Sequence, residues 1–135
     1  MWTLEMLFSG RRDCLDLYYP VERFIRSLGS VTVEVMKTQV SFGARTKFAW
    51  VWLPPPASKK RPAHSIVLTF GLDGQVVDPR VVEAVEPRPG RWTHHVIIEQ
   101  EADLDDTVKS WLRQAYELGQ IDRRKRGGKA REGGE

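Results

Sequence analysis

One cysteine, Cys14, stands in the 135 residues, so no internal disulfide can form. A secreted scaffold of this size would carry cysteines in pairs, and a reducing cytoplasm is the simpler setting. No apolar run approaches the roughly 20 residues that a membrane span requires. The opening MWTLEMLFSGRRDC places acid before base and lacks the long apolar core of a signal peptide. A cytoplasmic protein without membrane contact is therefore expected. The chain is also short of metal-ligand spacings. Its three histidines, one cysteine and scattered carboxylates form none of the patterns that hold zinc, so no metal and no cofactor is expected. Positive charge is missing from most of the chain as well. Of the net +3, the segment 123–135 supplies six bases against Glu132 and Glu135, which leaves 15 bases and 16 acids in residues 1–122.

What is present is the composition of one globular domain, with 41% hydrophobic and 29% charged residues. A chain of this length buries roughly 65–70% of its unfolded surface, enough for a core without staples. Leu4–Phe8 reads as a turn of helix closed by Ser9-Gly10. Val21, Phe24, Ile25 and Leu28 fall at i, i+3, i+4 and i+7, an apolar stripe. They predict a helix over about 20–28 that starts at Pro20, where a missing N–H is tolerated, with a kinked extension back to Asp13 as the alternative. Val31, Val33 and Val35 alternate, but Val40 and Phe42 have the opposite parity, so a bulge or break near Met36-Lys37-Thr38 is expected. FAWVWLP is apolar on both faces and suits a central strand. PPPASKKRP reads as an exposed basic loop. SIVLTFGL turns Ile66, Leu68 and Phe70 inward. RVVEAVE reads as a strand joined through Pro89-Gly90 to WTHHVIIEQ. Asp103 or Asp105 opens a last helix with Leu104, Val108, Trp111, Leu112, Ala115 and Leu118 on its apolar face. The expected fold is α+β: a mostly antiparallel sheet of about five strands, with N-terminal and C-terminal helices packed on one face. Residues 1–122 form the domain, and 123–135 form a basic, Gly-rich disordered tail.

The densest chemistry lies in PGRWTHHVIIEQ, residues 89–100. On a strand, neighbouring side chains point to opposite faces. Trp92, His94, Val96 and Ile98 then share one face, and Thr93, His95, Ile97 and Glu99 the other. His94 and His95 therefore diverge and cannot grip one metal ion together. His94 falls on the more apolar face, as a core or rim histidine, and His95 on the wetter one. Trp50 and Trp52 share a strand face, either as a stacking platform or as filling between sheet and helix. Lys37, alone among apolar and hydroxylic neighbours, serves as an anion anchor or guards a strand edge. Arg91, beside the Pro-Gly turn, can hold a carboxylate or phosphate.

The segments KTQVSF, FAWVWLP, PGRWTHH and WLRQAYE together resemble the family catalogued as domain of unknown function 5655, over about Leu4–Leu118. That resemblance implies a small α+β domain, found mainly in bacteria, in which Lys37, Thr38, Phe42, Trp92 and His94–His95 recur as a pattern across a cleft or core. It brings no established catalytic residues. The strand pattern is also loosely similar to the small iron-chaperone-like domains, which implies a similar sheet and not iron binding. The reading that follows is a non-catalytic binding module for a small anionic or aromatic ligand or a peptide. Its groove would be lined by Lys37, Trp50, Trp52, Arg91, Trp92, His94 and His95. One alternative is a nucleic-acid accessory protein contacting phosphates through Lys59, Lys60 and Arg61 and through Arg123, Arg124, Lys125 and Arg126. The other is a small hydrolase or lyase with a histidine base assisted by Lys37. Monomer and homodimer both stay open.

Overall fold

A computed structural model describes residues 1–54 and 64–121 of the chain. The basic loop residues Lys59, Lys60 and Arg61 and the tail from Arg123 onward lie outside the described residues. Helices α1 (Leu4–Leu7) and α2 (Arg12–Ser27) come first. Six strands follow, β1 (Thr32–Val35), β2 (Gln39–Gly43), β3 (Lys47–Trp52), β4 (Ile66–Leu72), β5 (Val81–Arg88) and β6 (Arg91–Ile98). A 3₁₀ turn at Glu101–Asp103 leads into α3 (Asp106–Gly119). The strands form one sheet in the order β1-β2-β3-β4-β6-β5, and every neighbouring pair is antiparallel. The fold is α+β, with helices from both ends of the chain on one face. Among the described residues no helix is long and apolar enough to cross a membrane.

Register fixes which side chains meet the helices. Val40 lies opposite Val51, Val51 opposite Leu68, and Leu68 opposite Val96, so one row of apolar side chains runs across four strands. That row joins Tyr18, Val21 and Ile25 of α2 and Val108, Leu112 and Ala115 of α3 in a single buried core. Cys14 is buried there and forms no disulfide. The far face of the sheet carries the residues of opposite parity. They are Gln39 and Ser41 on β2, Trp50 and Trp52 on β3, Val67 and Thr69 on β4, His95 and Ile97 on β6, and Glu83 on β5.

Two open expectations are resolved, and the strand count is corrected. The parity change near Met36-Lys37-Thr38 is a hairpin turn between two strands. Val33 pairs with Phe42 and Val35 with Val40, so both sets of apolar residues face the helices. The sheet thus has six strands where about five were expected. The helix takes the alternative of an extension back through Pro20: α2 runs from Arg12, one residue before Asp13, to Ser27. Proline removes one hydrogen bond from the helix, and the carbonyl it orphans belongs to exposed Asp16. Buried Cys14, Leu15, Tyr18, Val21 and Ile25 hold the helix against the sheet on both sides of the break. The last helix follows expectation, with Asp105 as N-cap accepting the Val108 N–H at 2.9 Å. At its other end the Gly119 carbonyl accepts N–H bonds from Arg45 and Thr46, both at 2.9 Å, which pins the β2–β3 turn. A side chain at Gly119 would stand 3.0 Å from Phe48 Cβ.

Candidate functional site

The two histidines of PGRWTHH diverge. His94 lies opposite Phe70 on the helical side, is fully buried, and stacks on the Phe70 ring at 5.3 Å. Its Nε2 accepts the Val76 backbone N–H at 2.9 Å, so the ring proton resides on Nδ1 and the ring is neutral. Nδ1 itself has no hydrogen-bond partner. Burial holds its pKa below the ordinary histidine value. His94 thus ties the loop after β4 to the core.

His95 lies one residue on and faces the other side. Here the register brings together three side chains from three strands. Trp52 Nε1 donates to Thr69 Oγ1 at 2.8 Å, and Thr69 Oγ1 lies 2.7 Å from His95 Nδ1. On the other side of the ring, His95 Nε2 stands 3.9 Å from Glu83 Oε1. The Trp52 and His95 rings meet edge to face at 5.7 Å. The row Trp52–Thr69–His95–Glu83 crosses β3, β4, β6 and β5. It has the order of a hydroxyl, a base and an acid. Thr69, however, is only 5% exposed, so its hydroxyl holds the indole and imidazole in place and does not meet a substrate.

Trp52 also walls a cleft of about 570 Å³, together with Arg11, Lys37, Thr38, Gln39 and Leu53. Its size falls in the range of small-molecule sites. Lys37 and Thr38 form the exposed tip of the β1–β2 turn, which closes through Met36 N–H donating to Gln39 O at 2.8 Å. Gln39 lies opposite Trp52, and this pairing sets the turn beside the indole. Arg11 enters from the start of α2, where its guanidinium donates to Cys14 Sγ at 3.0 Å. The Cys14 thiol in turn donates to the Ser65 carbonyl at 3.5 Å, and burial pushes its pKa up, so it stays protonated. The cleft therefore presents two cations, an amide, a hydroxyl and an indole whose orientation is fixed from behind. Such a surface can hold an anion against a flat apolar face.

The structure separates several of the expected groove residues. Trp92 lies opposite Leu72, five residues along β4 from the partner of Trp52, or about 17 Å at the strand rise. Arg91 and Trp92 thus sit at the other end of the sheet from Lys37. His94 is in the core. Trp50 and Trp52 lie on the far face and do not fill the space between sheet and helix. Both are half-buried, and Trp50 does not line the Lys37 cleft. Lys37, His94 and His95 likewise do not converge, since His94 is on the opposite side of the sheet. Among the described residues no cluster of three or more His, Cys, Asp or Glu side chains is placed to hold a metal ion.

Arg11, Thr69 and Glu83 were not singled out from the sequence. Arg11 has no local signal, because only the fold brings the start of α2 beside the β1–β2 turn. Thr69 and Glu83 come beside His95 only through the register of β4, β6 and β5.

An antiparallel sheet with two helices on one side and a cation-and-indole cleft at its end defines a small α+β domain. The family model described as Domain of unknown function (DUF5655) matches residues 5–119, and the chain belongs to that family. No curated protein and no solved structure matches it.

Proposed function

We propose that the chain is a binding module that works in the cytoplasm, without catalysis of its own. It takes a small ligand that combines negative charge with a flat aromatic part. The observation that carries this reading is the cleft in which Arg11, Lys37 and the hydrogen-bonded Trp52 face a common space. Two cations supply charge-assisted contacts, Gln39 and Thr38 supply neutral hydrogen bonds, and the indole supplies stacking area. Thr69 and His95 pre-orient the indole, which lowers the ordering cost of binding.

The test is a calorimetric titration of the chain with 2-naphthalenesulfonate, a probe with both features. Binding is expected to weaken about tenfold in Arg11→Gln and in Lys37→Gln, and further in Trp52→Leu, the scale set by one charged hydrogen bond. Unchanged affinity in the Arg11→Gln/Lys37→Gln double variant would sink the proposal.

A further inference from the structure

A second cleft, sharing no residue with the first, opens at the seam of α2 and α3. Its volume is about 500 Å³, and its walls include Pro20, Arg23, Phe24, Glu101 and Lys109. Phe24 is half-buried there. From α3 the Lys109 ammonium stands 5.5 Å and the Arg113 guanidinium 5.6 Å from its ring centroid. A π face attracts a cation but carries no net charge, so it does not neutralise either group.

The balance of charge here differs from that elsewhere on the helical surface. Arg12 pairs with Asp16 at 3.6 Å, Arg26 with Glu22 at 2.7 Å, and Arg80 with Asp78 at 3.0 Å and Asp105 at 2.8 Å. Among the described residues no carboxylate lies within ion-pair distance of Arg23, Lys109 or Arg113. Lys109 and Arg113 are also one turn apart on α3, a spacing at which like charges repel. Among the residues lining the cleft, Arg23 and Lys109 are cationic and Glu101 is anionic, a net charge of +1, and Arg113 adds a further cation against the Phe24 ring.

We propose that this seam is an anion site for the phosphoryl group of a small phosphate monoester. Arg23 and Lys109 contact the oxygens, Arg113 adds to the field, and Phe24 and Pro20 pack against the organic part. A phosphate monoester carries about −1.5 to −2 near neutral pH, opposite in sign to the unpaired cations of the seam. The planar fork of Arg23 suits two oxygens of one phosphoryl group. The α3 cations span only about 6 Å along the helix, a footprint for one phosphoryl group and not for an extended polyanion.

The full chain, labelled with nitrogen-15, would be titrated with inorganic phosphate and with glycerol 3-phosphate at constant ionic strength. Neither probe has a ring that could stack on Trp52. Saturable amide shifts are expected at Arg23, Phe24 and Lys109. The glycerol 3-phosphate affinity should fall about tenfold in Arg23→Gln and in Lys109→Gln, the scale of one charge-assisted contact. Circular dichroism would establish that both variants fold. Arg11→Gln/Lys37→Gln should bind glycerol 3-phosphate as the parent does, which separates this site from the Lys37 cleft. Shifts that track ionic strength alone, unchanged affinity in the two seam variants, or tighter binding of an oligoglutamate peptide would overturn the assignment.

Discussion

His94 is held neutral at a cost that depends on pH. Burial is the main cause of its lowered pKa, and the neighbouring His95 adds to it. A histidine whose folded pKa is depressed binds its proton more tightly in the unfolded chain. Its contribution to stability is therefore complete above about pH 6.5 and is lost as pH falls below that unfolded value. The loss can approach about 1.4 kcal/mol per pH unit until the folded pKa is reached. Asp13, Asp78 and Asp105 act in a separate window. Hydrogen bonds from His64, from the Arg80 N–H and from the Val108 N–H hold their carboxyls low. Their contribution is present above the ordinary carboxylate range near pH 4 and is lost as pH falls through their lower folded values. Between pH 7.5 and 5.5, urea unfolding of the parent should lose about 1 kcal/mol more than that of His94→Gln. Equal losses in the two proteins would contradict the role assigned to the buried imidazole.

At the scale of the element, α2 carries a removable defect. Pro20 in a helix interior costs up to about 3 kcal/mol against alanine, partly offset by the stiffness it gives the unfolded chain. Pro20→Ala should raise stability by about 1–2 kcal/mol on this reckoning, measured as a higher thermal midpoint. A lower midpoint would show that Pro20 packs in a way alanine cannot replace. The stripe Val21, Phe24, Ile25 and Leu28 made the C-terminal half of this helix legible, whereas the proline hid its continuity. The hairpin at Met36–Gln39 was hidden for a different reason. Its turn contains neither glycine nor proline, so only the parity of the valines marked it, and a bulge changes parity just as a hairpin does. Register between distant strands leaves no local trace at all. Thus Lys37 and Trp52 could be picked out as candidates, while their meeting with Arg11, and the Thr69–His95 contact, could not.

At the scale of the whole molecule, the sheet of the described residues ends at two edge strands, β1 and β5. The outer strand β5 carries Glu83, Glu86, Pro87 and Arg88 and breaks register between Val81 and Glu83 and between Val85 and Arg88. These features oppose pairing with another chain, which matters because Val82 and Val85 are 52% and 47% exposed. Pro87→Val/Arg88→Val should therefore associate in a concentration-dependent way by sedimentation, with the parent as reference. Matching sedimentation of the two proteins would remove β5 as the guarded edge. The divergence of His94 and His95 also gives the molecule a built-in comparison. The two imidazoles are adjacent in sequence but monitor different compartments, one the dry layer beneath the helices and the other the Thr69 row behind Trp52. A ligand in the Lys37 cleft should move the ring signals of His95 and leave those of His94 in place, whereas loosening of the core would disturb His94. One histidine spectrum can thus tell occupancy from unfolding, with neither residue replaced.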